Sequence, residues 1–249
     1  MTRRNVVVVG GAAGIGKQIV MDMVRQGDRV AILDLNIEAG ERLVAELVQQ
    51  GGQVSFFQAN VSSWDHMNQA IQETLAEMER IDVLVYSAGI TRRVNFDDLG
   101  WDEWKKTISV NLTGLFYAVK AVVPSMMEHR SGKIVIIGSG SAITGSGGGV
   151  HYATSKGGAF GLMRSLAGEL GAFGIRINTV APRVIESEML TRLYPDPSDL
   201  EALKDTIPVK RLGTLGDISN TVQFLSSEQS DYIHGQVILC DGGRTYSAQ

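Results

Sequence analysis

Four consecutive valines, Val6 to Val9, run into Gly10-Gly11-Ala12-Ala13-Gly14-Ile15-Gly16, and an amphipathic stretch follows from about Lys17 to Gln26. A β-branched run without polar alternation suits a parallel strand buried on both faces. A strand, a glycine turn and a helix in that order aim the first backbone N–H groups of the helix at one spot, an anion site suited to pyrophosphate. The spacing is Gly-x-x-x-Gly-x-Gly through Gly10, Gly14 and Gly16, and differs from the commoner Gly-x-Gly-x-x-Gly. Glycine turns without a nucleotide are frequent, so this turn alone carries little weight.

The same alternation continues along the chain. Strands are expected at Arg29 to Asp34, Gln53 to Ala59, Asp82 to Tyr86, Lys133 to Ile137, Ile175 to Ala181 and Gln236 to Cys240. Helices are expected from about Asn36 to Gln50, Asp65 to Glu79, Trp101 to His129 with a bend near Pro124, around Tyr152, and from Leu215 to Ser226. Strands alternating with helices predict an α/β fold built on one doubly wound parallel sheet. With 249 residues, 44% of them hydrophobic, and only five prolines, the chain can bury a sizeable core as a single domain over residues 1–249. From Pro182 to Pro208 the texture turns charged, with two more prolines at Pro195 and Pro197 and no clear strand. Such an insertion beside the strand ends, at about 183–210, reads as a substrate lid.

A net charge of −4 gives no reason to expect nucleic acid as a partner. One cysteine, Cys240, excludes an internal disulfide framework and fits a reducing compartment. Met1-Thr2-Arg3-Arg4 ahead of the valines resembles the opening of a signal peptide, but the apolar run is short and breaks on glycines. No stretch reads as the roughly 20 apolar residues a membrane span needs. The expectation is a soluble, cytoplasmic protein without a membrane or nucleic-acid partner. Four histidines and one cysteine show no zinc-ligand spacing, so no catalytic metal is expected.

Chemistry concentrates at Tyr152-Ala153-Thr154-Ser155-Lys156, with Ser139 upstream at the end of an expected strand. On a helix Tyr152 and Lys156 are neighbours one turn apart. An adjacent ammonium favours the phenolate and brings the phenol nearer neutral pH, where acid/base catalysis needs it. About 0.2 such Tyr-x-x-x-Lys pairs are expected by chance in this composition, so context must support the motif. The alternative is a surface helix with a half-buried tyrosine.

Asp34 ends the second expected strand, 20 residues after Gly14, where a carboxylate holds the ribose 2′-hydroxyl of NAD. A 2′-phosphate would meet like charge, and neither Ala13 nor Leu35 supplies a cation. The competing role for Asp34 is the N-cap of the following helix. Asn111 is locally unfavourable inside a helix, which invites a functional reading. Arg92 and Arg93 follow a strand end near the expected substrate entry and suit a carboxylate or phosphate, although solvated loop cations are the plainer reading. His151 beside Tyr152 reads as structural, and Trp101 with Trp104 as a pair packed on a helix face.

With these residues placed, the chain resembles the short-chain dehydrogenase/reductase family in its single-domain form, from Gly10 to Asp241-Gly242-Gly243. Tyr152, Lys156, Ser139 and Asn111 fall on that family's catalytic tetrad in order and spacing. The resemblance implies a Rossmann-type sheet of seven strands, and a homotetramer joined through the long Trp101 and Tyr152 helices. It implies that Tyr152 exchanges a proton with the substrate oxygen while Ser139 holds that oxygen. Lys156 would bind the nicotinamide ribose and lower the Tyr152 pKa, and Asn111 would hold a water in the proton relay. The cofactor set it carries over is Gly10, Gly14, Ile15, Gly16, Asp34, Asn60, Val61, Ala88, Gly89, Tyr152, Lys156, Pro182, Ile185 and Ser187. Val9, Tyr86-Ser87, Asn60, Arg183 and Ser187 depart from the family's usual residues. Arg183 replaces a glycine near the nicotinamide, where a cation either repels NAD+ or anchors an anionic substrate.

The function expected is an NAD-dependent alcohol/ketone oxidoreductase acting on a polyol, sugar or sugar acid. One rival is a 3-oxoacyl-thioester reductase; those usually prefer NADPH, which Asp34 argues against. The other is a non-catalytic NAD(H)-binding regulatory protein, against which the intact tetrad argues.

Overall fold

The computed structural model describes residues 3–246; Met1 and Thr2, where the leader-like segment begins, and 247–249 lie outside the described residues. In chain order the elements are β1 (Asn5–Val9), α1 (Gly14–Arg25), β2 (Arg29–Asp34), α2 (Ile37–Gln49), β3 (Gln53–Gln58), α3 (Trp64–Met78) and β4 (Val83–Tyr86). Then come α4 (Trp101–Ile108), α5 (Gly114–Glu128), β5 (Gly132–Ile137), α6 (Ser141–Thr144), α7 (Gly149–Leu170) and β6 (Ile175–Pro182). The chain closes with α8 (Glu188–Leu193), α9 (Pro197–Asp205), α10 (Leu215–Leu225) and β7 (Val237–Cys240). The seven strands form one sheet in the order β3-β2-β1-β4-β5-β6-β7, every pair parallel. The doubly wound sheet expected from the alternation is present.

The period-two geometry of β1 explains the layers. Val7 and Val9 face a core completed by α3, α5 and α7. Val6 and Val8 face the opposite core, completed by α1, α2 and α10. Buried from both sides, the strand has no position left for a polar residue after Asn5, its half-buried first residue. The chain leaves β1 toward β2 and β3, then re-enters as β4 on the other side of β1. Open α/β sheets bind ligands beyond the carboxyl ends of the strands at such a reversal. Here the two strand ends almost touch, because a Cβ on Gly10 would lie 2.5 Å from the backbone nitrogen of Ala88.

Three elements differ from expectation. Helix α1 begins at Gly14 rather than Lys17, so the glycine motif itself builds the first turn. The expected Trp101–His129 helix is interrupted by a π turn, Ser109–Thr113, while Pro124 sits inside α5. π turns break the regular hydrogen-bond ladder and recur at functional sites. The lid segment carries two helices, α8 capped by Ser187 and α9 by Asp196, with Pro197 in the first turn.

The helical run Trp101–Glu128 is also, by length and composition, apolar enough to cross a membrane, with mean hydropathy 1.2 over its best window. The expectation that no such stretch exists counted unbroken apolar residues, and this run is interrupted by Asn111, Thr113 and Lys120. In this fold Leu115, Ala118, Val119, Val122 and Met126 turn its apolar side into the core. Trp101 does not pack as expected: it is 78% exposed.

Glycine positions separate into those the fold needs and those it tolerates. A Cβ on Gly16 would fall 2.0 Å from the Gly10 carbonyl oxygen, whereas one on Gly168, within α7, meets nothing within 4 Å. Gly168→Ala is therefore expected to add about 0.5–1 kcal/mol of stability. Gly16→Ala should lower the denaturation midpoint and weaken dinucleotide binding together. Urea unfolding of both variants checks the pair.

Candidate active site

The glycine turn forms an open cradle. Gly10 and Gly14 adopt φ of 75° and 53°, in the left-handed region that favours glycine. Helix α1 has no side-chain cap and no acidic residue in its first turn, so its leading N–H groups have no partner within the helix. Nothing lies within 4 Å of the Cβ position of Gly14. Free donors facing open space suit a pyrophosphate, and Ile15 and Gly16 complete that turn. Asp34 stands at the rim: its Oδ2 accepts the Ala12 N–H at 3.0 Å, and its Oδ1 accepts the Asn36 N–H at 3.0 Å. It is not the cap of α2. Asn36 is, accepting the Ala39 N–H at 3.1 Å, so the N-cap role weighed for Asp34 is corrected. Beyond β3, Asn60 accepts the Ser62 N–H at 3.0 Å, and Val61 packs against Gly114.

Strand β5 and helix α7 supply the reactive groups. Ser139 follows β5, its hydroxyl accepting the Ser141 N–H at 3.1 Å and lying close enough to the Tyr152 phenol to draw it down. Lys156, one turn beyond Tyr152, donates to the Ile137 carbonyl at 2.8 Å, with its nitrogen 5.9 Å from the Tyr152 ring centre. The Cβ position of Gly89, beyond β4, lies 3.3 Å from Lys156 Nζ and 3.6 Å from Asn111 Oδ1. Gly148 at φ 81° puts its backbone against the Tyr152 ring and Thr91, so the glycine-rich loop is packed on the site.

Burial dominates the electrostatics. It pushes the Tyr152 phenol up, and the Ser139 hydrogen bond pulls it part of the way back. Burial also holds the Lys156 ammonium down at about 8. Both groups share one poorly solvated place, and burial is the largest influence on each.

Asn111, 1% exposed, is fully engaged. Its Nδ2 donates to the Ile90 carbonyl at 2.9 Å and to Ser155 Oγ at 3.0 Å, and its Oδ1 accepts the Ile90 N–H at 2.8 Å. These bonds make the side chain a tie between the segment after β4, the π turn and α7. Tyr86 completes the tie by donating to the Val110 carbonyl at 2.5 Å.

Pro182 ends β6 and accepts the Gly140 N–H at 3.0 Å. Ile185 is buried and bridges to Gly213. Ser187 spends its hydroxyl inside the lid, accepting the Leu190 N–H and donating to the Ile185 carbonyl. Arg92 and Arg93 are both exposed but diverge: the Arg93 guanidinium lies 5.8 Å over the Tyr194 ring, while Arg92 faces His151. His151 is sealed from solvent with neither ring nitrogen hydrogen-bonded, and burial pushes it down. Arg183 donates to Thr245 Oγ1 at 3.1 Å and Ser146 Oγ at 3.0 Å. Arg244, which no sequence signal marked, lies within electrostatic reach of it.

Residues 10–245 match the family model described as enoyl-(acyl carrier protein) reductase. The chain is 39% identical over 243 residues to a 3-oxoacyl-[acyl-carrier-protein] reductase FabG of Chlamydia pneumoniae, covering 98% of this chain and 97% of that protein. It is 36% identical to a (2S)-[(R)-hydroxy(phenyl)methyl]succinyl-CoA dehydrogenase subunit BbsD of Thauera aromatica, covering 98% of each. It is 35% identical to a D-threitol dehydrogenase of Mycolicibacterium smegmatis, covering 96% of this chain and 92% of that one. A 3-oxoacyl-[acyl-carrier protein] reductase with bound NAD from Brucella melitensis superposes with TM-score 0.90 at 31% identity, covering 98% of this chain and 92% of that one.

Lys156 gives a pH signature. Its folded pKa of about 8 lies below the ordinary value of 10.5, so between those values the unfolded chain binds the extra proton and stability rises with pH. The penalty is fully present below about 8 and gone above 10.5. Lys156→Met removes it and should be more stable than wild type near pH 7, the difference closing between pH 8 and 10.5. Thermal melts of both proteins across that range check it.

Proposed function

The chain belongs to the short-chain dehydrogenase/reductase family, and from that membership we propose that it is an NAD(H)-dependent reductase of a 3-oxoacyl thioester. Its chemistry is oxidation–reduction at a CH–OH or keto carbon. What supports the finer reading is the likeness to relatives named for acyl-carrier-protein and CoA esters, together with the Tyr152 phenol buried beside Ser139. A protonated phenol is the acid that a ketone needs when it is reduced. Ser139 and Tyr152 both donate to the substrate oxygen, and the phenolic proton moves onto it as charge develops. Lys156 then holds its ammonium beside the phenolate left behind. Asn111 acts from further back, fixing the strand end and helix that carry these groups.

NAD(H), when bound, supplies or accepts the hydride. The first turn of α1, with Gly10, Gly14, Ile15 and Gly16, would hold its pyrophosphate, and Asp34 the adenosine ribose. Asn60 and Val61 would flank the adenine; Ala88, Gly89, Pro182, Ile185 and Ser187 the nicotinamide half, and Tyr152 and Lys156 its ribose. The Asp34 carboxylate favours NAD(H) over NADP(H), since a 2′-phosphate would meet like charge. The NAD-bound structural neighbour is consistent with this.

The thioester replaces the polyol expected from sequence, because two of the relatives act on acyl-carrier-protein or CoA esters by name. The D-threitol dehydrogenase keeps the polyol as a second reading. A homotetramer fits the exposed apolar residues Trp101 on α4, Phe116 on α5 and Val150 on α7. A reducing cytoplasm fits the single Cys240.

Tyr152→Phe should reduce acetoacetyl-CoA at least about 100-fold more slowly while still binding NADH; undiminished turnover would sink the mechanism. Asp34→Ala should narrow the preference for NADH over NADPH, measured as the ratio of dissociation constants. Equal affinities in the wild type would refute the role given to Asp34.

A further inference from the structure

Beyond Ser139, the lid base, the β5–α7 loop and the C-terminal segment converge around Arg183. Arg183 leaves β6 with its N–H on the Cys240 carbonyl at 3.2 Å. Its side-chain carbons come within 3.1 Å of the Gly140 Cβ position, so it runs along the loop that Ser139 opens. Its guanidinium ends on two neutral hydroxyls, Thr245 and Ser146. Arg244 lies within electrostatic reach of Arg183, Asp241 and Tyr194, and Arg93 covers the Tyr194 ring. Among the described residues, no carboxylate makes an ion pair with Arg93, Arg183 or Arg244. Asp241, within electrostatic reach of Arg183 and Arg244, already accepts the Gly243 N–H at 2.9 Å and the Thr245 N–H at 2.7 Å.

The aim of Arg183 is fixed. Val184 takes φ 60°, a left-handed conformation that is an outlier for a β-branched residue. It is held there by the Gly213 N–H on its carbonyl at 3.1 Å. A guanidinium resting on hydroxyls exchanges them readily for a carboxylate, whose paired oxygens match its fork and make stronger, charge-assisted bonds.

We propose that Arg183 and Arg244 form a carboxylate subsite, and that the acyl group of the substrate ends in a free carboxylate. The proposal rests on the thioester reading and specifies its substrate as the half-thioester of a dicarboxylic acid. Position favours a carboxylate on the acyl group over a phosphate on the carrier. The fork lies one side chain's length from Ser139 and the reacting oxygen, whereas a carrier phosphate is separated from the thioester by the whole pantetheine arm.

Isothermal titration of the NADH complex with glutaryl-CoA and pentanoyl-CoA tests this. The two probes share a five-carbon acyl chain and the same phosphates, differ only in the terminal carboxylate, and need no turnover. Glutaryl-CoA should bind about tenfold tighter or better, as expected for a charge-assisted pair. That ratio should collapse to about one in Arg183→Met, fall in Arg244→Met, and survive in part in Arg183→Lys. Equal affinities in the wild type overturn the subsite and leave the thioester reading standing. Equal weakening of both esters in Arg183→Met also overturns it, giving the arginines to the carrier phosphates. If neither ester binds but free glutarate binds more tightly than pentanoate, the subsite stands and the thioester reading falls. If no probe binds, both fall.

Discussion

Asn111 exchanges two hydrogen bonds with the backbone of a single residue, Ile90, and gives a third to Ser155. The site depends on that exchange, because it fixes the end of β4 and the turn of α7 that carries Tyr152 and Lys156 against one another. A regular helix would not present Asn111 in this way. The π turn around it releases the Val110 carbonyl, a buried acceptor that would be costly unpaired, and the Tyr86 hydroxyl takes it. Gly114 makes room, since a Cβ there would sit 2.6 Å from that hydroxyl. Tyr86, Asn111 and Gly114 therefore act as one device, spread over 29 positions of the chain.

What the device holds is a pair of groups that water would treat better. The Tyr152 phenol and the Lys156 ammonium are both penalised by burial, and neither is neutralised by a carboxylate. Stability is given up to keep a proton donor and a cation where a carbonyl can reach them, as is common at active sites. The same physics applies beyond Ser139, where Arg183 is steered by a strained Val184 onto partners weaker than the ones it is built to grip.

Local pattern carried much of this to the reader of the sequence. The Val6–Val9 run, the glycine turn and the acid ending β2 are each readable within a few residues, because buried strands, tight turns and strand-end carboxylates leave compositional marks. The cluster that α7 and β5 bring together was legible in the spacing of Ser139, Tyr152 and Lys156. Features made by distant residues were not. The π turn needs Tyr86 and Gly114, the Lys156 shift needs the packing around α7, and Arg244 matters only because the chain end folds back toward β6. Two misses had local signals. Asp196-Pro197 is a helix start, and Asn36 three residues before Ala39 is a better cap than Asp34. Asp34 instead bonds back to the glycine turn, which a strand-to-helix reading does not anticipate.

The central claim is that this cluster reduces the keto carbon of an acyl thioester with a hydride from NADH. The most direct measurement follows the hydrogen itself: acetoacetyl-CoA is incubated with NADH deuterated at the transferable C4 position, and the product is analysed by mass spectrometry. The expected product is 3-hydroxybutyryl-CoA carrying one deuterium on C3. Unlabelled product, or label appearing only with the corresponding NADPH, would contradict it.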